Sequence, residues 1–140
     1  DVKRGGLAAA LQELALRSQE LFGVVCRYSG SVHVPLLDAN AASQLYRIAQ
    51  EAVTNAAKHG KAKRIEIRLA KNRRGLLLTV RDTGRGLPAR KTDGLGLGLD
   101  IMRYRAGLIG ATLEIASQPR RGTTVNCLLP RAAPTRNKKP

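Results

Sequence analysis

The chain has 140 residues, of which 43% are hydrophobic, and this composition fits one folded domain with a buried core. It contains no apolar run near the roughly 20 residues that a membrane-spanning helix needs, and no secretory signal pattern, so we expect a cytoplasmic location. The two cysteines lie far apart without a CxxC pattern, which argues against a structural zinc site, and Cys127 is interpreted as a buried thiol.

The net charge of +15 is compatible with nucleic acid, an anionic membrane or a phosphorylated ligand as a partner. The basic residues are scattered around one predicted strand pair and along the segment 131–140, without the interleaved aromatic residues of single-strand binders. We therefore interpret most of this charge as solvated surface and expect no specific nucleic-acid partner. Residues 131–140 are expected to form a basic, disordered tail.

The spacing of apolar residues predicts three helices and five strands. In chain order these are a helix from Leu7 to Phe22 with Leu11, Leu14 and Leu21 in its apolar stripe, a strand from Val24 to Gly30, a helix from about Ala39 to His59, strands over Lys63–Ala70 and Leu76–Asp82, a helix from Ile101 to Ile109, and strands over Ala111–Ser117 and Thr123–Pro130. Gly23 and Gly60 end the first two helices, and Asp38 or Asn40 caps the second. The order predicts an α+β, two-layer sandwich, in which a mixed sheet carries about three helices on one face.

The second helix ends in the sequence QEAVTNAAKHG, in which four polar residues lie three or four positions apart. At that spacing Glu51, Asn55, Lys58 and His59 share one helix face. An amide oxygen and a carboxylate are hard ligands of the kind that Mg²⁺ prefers, and the two basic groups could meet phosphate. A solvated, partly ion-paired helix face explains the same residues equally well.

Two strand residues point toward the core although they are polar. Asp82 shares the face of Val80, where a carboxylate is costly unless a donor pairs with it. That donor is either the turn that follows, which is the commoner case, or an amino group of a bound base. Thr123, directly after Gly122, could bond a ligand or a buried water, but such a threonine is more often satisfied within its own sheet.

The sequence GLGLGL at Gly94–Leu99 runs into the third helix, where backbone N–H groups attract anions and glycines allow a phosphate to approach closely. The pattern alone is a weak signal, since it matches neither the dinucleotide-binding fingerprint nor the P-loop. The segment Leu87–Asp93 before it is expected to be mobile and to fold over a bound ligand.

Taken together and in this order, the motifs resemble the ATP-binding catalytic domain of the GHKL family (Bergerat fold), which histidine kinases share with DNA gyrase, Hsp90 and MutL. RIAQEAVTNAAKH resembles the N box of that family, DTGRG and GLGLGL its two glycine boxes, and GTTVNCLLP its closing strand. The sequence LYRIAQEAVTNAAKHGKAKRIEI is most similar to the corresponding segment of sensor histidine kinases of the NarL, DegS and DesK type. The resemblance covers residues 45–130 and includes, more faintly, the first helix.

For the second helix, the resemblance implies roles in holding the phosphates of ATP. Asn55 would coordinate a Mg²⁺ ion that bridges the phosphates, and Lys58 and His59 would approach a phosphate. Glu51 matches the position of a water-activating base in hydrolytic relatives, and here we expect it to act mainly on the metal or its waters.

For the remaining motifs, the resemblance implies a base pocket and a lid. Asp82 would accept a hydrogen bond from the adenine amino group, Gly84 and Gly86 would shape the pocket, and Thr123 would sit near adenine through a water. Gly94, Gly96 and Gly98 would belong to the lid that wraps the phosphates, and Leu99 would also contact the nucleotide.

The resemblance implies a protein-histidine kinase that transfers the γ-phosphoryl group of Mg-ATP to a histidine on a separate dimerisation domain, from which a response regulator would receive it. Neither His33 nor His59 lies on a suitable amphipathic helix, so we expect the acceptor outside this chain. Residues 1–22 would then continue from that domain, residues 23–130 would form the ATP-binding domain, and the full protein would be a homodimer, either cytoplasmic or the cytoplasmic part of a membrane-bound sensor. Alternatives are a regulatory nucleotide-binding module of the same fold, a serine-directed anti-sigma-type kinase and, on charge alone, a nucleic-acid binder.

Overall fold

The computed structural model describes residues 6–30, 37–87 and 98–131. Within these ranges the elements are α1 (Gly6–Phe22), β1 (Val25–Gly30), α2 (Ala39–Thr54), a π-helical turn (Asn55–His59), β2 (Arg64–Asn72), β3 (Gly75–Asp82), α3 (Leu99–Leu108), β4 (Thr112–Gln118) and β5 (Gly122–Pro130). Every predicted helix and strand is therefore present. The expected mobility of Leu87–Asp93 and disorder of the tail fall on residues that lie, apart from Leu87 and Arg131, outside the described ranges.

The five strands form one mixed sheet in the order β1-β2-β3-β5-β4. β1 and β2 are parallel, and the chain crosses between them through α2, as a parallel connection requires. The other three pairings are antiparallel. The predicted α+β sandwich is confirmed, with β3 at its centre.

The core lies between one face of the sheet and the three helices. Alternation along the strands places Ile67, Val80 and Val125 side by side on the inner face, since Val80 is the register partner of both of the others. Leu45 and Met102 contribute fully buried side chains from α2 and α3. The same alternation carries Asp82, the last residue of β3, onto the inner face beside Ile65.

The helix ends differ from the prediction in two details. Asp38 alone caps α2, because its Oδ1 accepts a hydrogen bond of 2.7 Å from the Ala41 N–H, whereas Asn40 lies inside the first turn. Leu21 was wrongly included in the buried stripe of α1: its side chain is 75% exposed, and Phe22 packs against the core at that end of the helix instead.

The second helix does not continue as a regular α-helix to His59, as the sequence predicted. From Asn55 onward the chain forms a π-turn, in which the Gly60 N–H donates to the Asn55 carbonyl at 2.8 Å, five residues earlier. Such wide turns occur mostly as single insertions in α-helices and often mark functional sites. This π-turn lies at the edge of the pocket described below.

Both cysteines are buried, as expected for Cys127, and burial raises the pKa of the Cys26 and Cys127 thiols to about 11. They therefore remain neutral thiols at neutral pH. None of the helices that the structure describes is long and apolar enough to cross a bilayer.

Two glycines make a matched pair for testing the packing of the β4–β5 turn. Gly122 has a φ of +91°, and an added Cβ would collide with the Asp82 carbonyl oxygen, so Gly122→Ala should lower the free energy of unfolding by about 1–3 kcal/mol. Gly107, in α3, has open space where its Cβ would lie, so Gly107→Ala should leave stability unchanged or raise it by up to about 1 kcal/mol. Urea unfolding of both variants measures the difference, and equal effects would contradict the close packing at Gly122.

Candidate functional site

A pocket opens where the end of β3 meets the start of β5, the π-turn and the start of α3. Its polar lining residues are Asn55, His59, Asp82 and Thr123. Apolar walls come from residues such as Val80, Met102, Ile115 and Val125. The cavity has a volume of about 20 Å³, which holds about one water molecule.

Asp82 brings a carboxyl group to this pocket and is only 8% exposed. Its Oδ1 accepts hydrogen bonds from the Gly84 N–H at 2.7 Å and the Thr123 N–H at 3.3 Å. Burial raises the pKa of Asp82 above the ordinary carboxyl value, and the two N–H donors partly offset that effect. No donor within the described residues reaches Oδ2, so this oxygen retains its capacity to accept a hydrogen bond from a ligand.

The loop after Asp82 is fixed against the end of the π-turn. The Gly60 carbonyl accepts a hydrogen bond of 2.8 Å from the Arg85 N–H. Gly84 lies so close that an added Cβ would collide with the Gly60 carbonyl oxygen and lie 3.0 Å from the Asp82 Oδ1. A glycine at position 84 is therefore what allows the loop and the π-turn to meet.

The other end of this loop contacts the β4–β5 turn. The Leu87 N–H donates to the Ser117 Oγ at 2.7 Å, and the Arg120 N–H donates to the Arg85 carbonyl at 3.0 Å. Gly86 has a φ of +83°, and a Cβ there would lie 2.6 Å from the Gln118 carbonyl oxygen. The first glycine motif is thus held on both sides, by the π-turn and by the β4–β5 turn.

The π-turn separates residues that the sequence predicted to share one helix face. Asn55 and His59 line the pocket, Asn55 being buried and His59 exposed at the rim. Lys58 is exposed and does not line the pocket. The π-turn accommodates about one extra residue. Residues four positions apart, such as Asn55 and His59, therefore lie on nearly the same side of the turn, whereas Lys58, three positions after Asn55, does not.

Glu51 and Gly98 lie against each other where α2 approaches the start of α3. A Cβ on Gly98 would lie 2.5 Å from the Glu51 Oε2, and Gly98 has a φ of +69°. Glu51 does not line the pocket, whereas Leu99, the first residue of α3, does. The carboxylate therefore sits beside the N-terminus of α3, outside the pocket itself.

The residues predicted from the sequence are thus partly assembled in one place. The pocket is lined by Asn55, His59, Asp82, Gly86, Leu99 and Thr123. Gly84 packs against the Gly60 carbonyl next to it, and Gly94 and Gly96 lie outside the described residues. The sequence assigned no role to Ser117, and it indicated Gly60 only as a helix end and Leu87 only as the start of a mobile segment. Their parts in the site depend on contacts between distant segments. For Ser117 the available signal was its place opposite Thr123 in the predicted final hairpin.

The donor set of the pocket is compatible with a magnesium ion held largely by phosphate and water. Within the described ranges no group of three or more His, Cys, Asp or Glu side chains could hold a metal ion by itself. Mg²⁺ keeps several waters and needs only one or two protein oxygens when a phosphorylated ligand supplies the rest. The Asn55 amide, which lines the pocket, matches that requirement, and Glu51 lies one turn earlier on α2, outside the pocket.

Comparison with known proteins gives the family and agrees with the fold. The family described as histidine kinase-, DNA gyrase B-, and HSP90-like ATPase matches residues 40–133. The sensor histidine kinase MctS of Rhizobium johnstonii is 34% identical over 132 residues, and the oxygen sensor histidine kinase NreB of Staphylococcus carnosus is 33% identical over 127 residues. These matches cover 91% and 89% of this chain, but the chain spans only 28% and 36% of the two relatives.

Solved structures give the same architecture. The ATP-binding domain of PrrB from Mycobacterium tuberculosis superposes with a TM-score of 0.70 over 91% of this chain and 95% of that chain, at 22% identity. The blue-light-activated histidine kinase EL346 of Erythrobacter litoralis superposes with a TM-score of 0.69 over 89% of this chain and 41% of that chain, at 26% identity. The family expected from the sequence motifs is confirmed: the chain belongs to the histidine kinase-, DNA gyrase B- and HSP90-like ATPases.

Proposed function

We propose that this chain is the catalytic domain of a sensor histidine kinase, which binds Mg-ATP and transfers the γ-phosphoryl group to a histidine on a separate dimerisation domain. ATP binding follows from the family, and the two curated relatives are both named sensor histidine kinases. The observation that carries the proposal for this site is Asp82, a buried carboxylate that lines the pocket beside Thr123.

Asp82 would recognise the adenine amino group. A carboxylate only accepts hydrogen bonds, an amino group of adenine donates them, and Oδ2 has no donor within the described residues. The apolar walls formed by Val80, Met102 and Ile115 would cover the ring faces. Because the empty cavity is small, adenine would enter as rim residues such as Leu87 and Leu99 move outward.

The phosphates would lie toward the π-turn and the start of α3. Asn55 would hold Mg²⁺, with Glu51 acting on the metal or its waters, and the bound ion would neutralise negative charge on the phosphates. His59 at the rim and, from the exposed side of the π-turn, Lys58 would approach a phosphate. Backbone N–H groups at the α3 N-terminus would add to this, with Gly94, Gly96 and Gly98 in the lid.

The exposed face of α3 would receive the domain that carries the acceptor histidine. Ile101, Tyr104 and Leu108 lie on one side of the helix and are about half or more exposed, with Tyr104 at 68%. The same helix lines the pocket through Leu99 and Met102, so a partner on this face lies close to the bound nucleotide. The relatives are about three times longer than this chain, so they have enough further residues for such a domain. The full protein would form a dimer through it. A response regulator would act on that domain.

Asp82→Asn should weaken nucleotide binding while keeping the hydrogen bonds that hold the loop after β3. Asparagine keeps an oxygen for the Gly84 and Thr123 N–H groups but presents its own donor to adenine, so ATP affinity should fall about tenfold to a hundredfold. Isothermal titration calorimetry with Mg-ATP measures this change. An unchanged affinity in the variant would rule out Asp82 as the adenine acceptor.

The same variant tests the sign of the Asp82 contribution to folding. Because burial raises the folded-state pKa above the unfolded value, the contribution to stability is present below the unfolded pKa and is lost as pH rises through the folded pKa. The melting temperature of the nucleotide-free wild-type domain should therefore fall relative to that of Asp82→Asn as pH rises from the unfolded-state pKa of Asp82 through its folded-state pKa. A difference that does not vary with pH would contradict the burial effect.

Tyr104→Glu tests the docking face and the proposed transfer together. With radiolabelled Mg-ATP and the separately expressed dimerisation domain of the same kinase, the wild-type chain should label the acceptor histidine, and Tyr104→Glu should reduce labelling by about tenfold or more. ATP affinity should stay unchanged in this variant. Leu16→Glu, which alters an exposed leucine on α1, is the matched control and should label normally. No labelling by the wild-type chain would refute phosphotransfer, and equal effects of the two variants would refute the docking face.

A further inference from the structure

The outer face of the sheet carries a cluster of arginines to which the proposed function assigns no role. Alternation along β2 turns Ile65 and Ile67 inward, where both are fully buried, and turns the residues between and beside them outward. The three helices pack against the inner face, so no helix of the described residues covers the outer one. The exposed charged residues at the centre of this outer face are Arg27, Arg64, Glu66, Arg68 and Arg81.

The strand pairing places these arginines around one carboxylate, that of Glu66. Arg27 of β1 and Arg81 of β3 are the register partners of Glu66 on the two neighbouring strands. Arg64 and Arg68 lie two residues before and two residues after it on β2 itself. Because neighbouring strands are about 4.8 Å apart and each residue rises about 3.3 Å, the Cα atoms of the four arginines span roughly 10 Å by 13 Å.

One carboxylate does not balance four guanidinium groups. The Glu66 Oε2 lies 3.5 Å from the Arg64 Nε, and within the described residues no carboxylate lies within salt-bridge distance of the other three arginines. Among the strand residues of this face the other acid is Glu114, which lies three strands from Arg68, roughly 14 Å away. Four arginines and one glutamate leave three positive charges unbalanced, so the cluster attracts an anionic partner.

The same face exposes apolar side chains beside the charged ones. Val25, which is 37% exposed, is the register partner of Arg64. Toward the other end of the strands, Leu77 and Leu128 are register partners on β3 and β5, and both are only half-buried because no described helix packs over them. A surface that combines basic and apolar side chains matches an anionic bilayer, which offers lipid phosphates to the basic groups and acyl chains to the apolar groups.

The chemistry of the outer face favours a membrane over a nucleic acid or a second protein. Base edges are read by a helix or ribbon that enters a groove, and unpaired bases by aromatic rings. Protein interfaces are commonly anchored by a buried Trp or Tyr. The outer face consists of strand residues, and none of those in the five described strands is aromatic. An anionic bilayer needs only a broad array of basic groups.

We propose that the outer face of the sheet, with Arg27, Arg64, Arg68 and Arg81 at its centre, is a docking surface for an anionic lipid membrane. This face lies opposite the helix layer, so α3 stays free for the domain that carries the acceptor histidine. The pocket opens at the end of the sheet, between β3, β5 and the helices, so nucleotide can enter a membrane-bound domain. The inference is independent of phosphotransfer, because it concerns a surface that neither the nucleotide nor the acceptor domain would touch.

Vesicle flotation with the full chain tests the proposal. One set of vesicles contains equal parts of phosphatidylglycerol and phosphatidylcholine, and vesicles of phosphatidylcholine alone are the neutral reference. The wild-type chain should bind the anionic vesicles and not the neutral ones. The double variant Arg27→Gln/Arg68→Gln should bind the anionic vesicles about twentyfold more weakly, since each basic residue at an anionic surface contributes about fivefold to binding. Absence of wild-type binding to the anionic vesicles would overturn the proposal.

The double variant Arg47→Gln/Arg103→Gln is the matched control. It removes the same charge from exposed arginines of α2 and α3, which belong to the helix layer. Charges farther from the membrane than the Debye length are screened, so binding to the anionic vesicles should stay within about threefold of wild type. Equal losses in the two double variants would show that the chain adsorbs through its net charge alone, which would overturn the docking surface.

A second measurement detects the contact without removing charge. Ser29→Cys places a thiol on the outer face beside Arg68, and Gln50→Cys places one on the exposed side of α2. Cys26 and Cys127 are buried, neutral thiols, so a polarity-sensitive dye that reacts with thiolates labels the new site. With anionic vesicles, the emission of the dye at position 29 should shift to shorter wavelengths, and that at position 50 should not. Equal shifts, or no shift at position 29, would contradict the proposal.

Competition distinguishes a membrane from other anionic partners. A DNA duplex and polyglutamate are each added to the chain bound to anionic vesicles. The vesicles should remain the tighter ligand, because neither competitor offers an apolar phase to side chains such as Val25 and Leu77. If either competitor binds more tightly and Arg27→Gln/Arg68→Gln weakens that binding by the same factor, the face serves a nucleic acid or an acidic protein, and the membrane assignment is overturned.

Discussion

A carboxylate at the buried end of the central strand is the constraint on which the pocket depends. Burial raises the pKa of Asp82 because it removes the carboxyl group from water, and two backbone N–H groups partly offset that effect. Those donors are available only if the chain turns sharply after β3 and if β5 begins directly beside it. Gly84 permits the first condition and Gly122 the second, since a Cβ at either position would collide with neighbouring backbone.

The constraint extends outward through backbone contacts. The turn that supplies the Gly84 N–H is also bonded to the Gly60 carbonyl, and Gly60 closes the π-turn that begins at Asn55. In the other direction the loop reaches Ser117 and the β4–β5 turn. The proposed base-binding and metal-binding residues are therefore connected through a few hydrogen bonds of fixed geometry, although they come from different parts of the sequence.

The sequence predicted the fold well because its signals are local. Alternating apolar residues mark each strand, helical spacing marks each helix, and the motifs that indicate the family are short segments in which every residue is visible. The π-turn could not be predicted, because the buried residues Ala52 and Ala56 fit an α-helix as well as a helix with a wider last turn. The hydrogen bond between Ser117 and Leu87 could not be predicted either, since the two residues lie 30 positions apart in the chain. The predicted roles of all the site residues remain predictions, and Gly94 and Gly96 lie outside the described residues.

The π-turn also suggests how a protein of this fold could lose its chemistry and keep its structure. Deleting one residue between Asn55 and His59 would remove the extra residue of the wide turn and allow the ordinary hydrogen bonds of an α-helix. The same deletion would rotate the residues that follow by about 100° and move the Gly60 carbonyl away from Arg85. Such a deletion would therefore act first on the pocket, because none of the strand pairings of the sheet involves a residue of the π-turn.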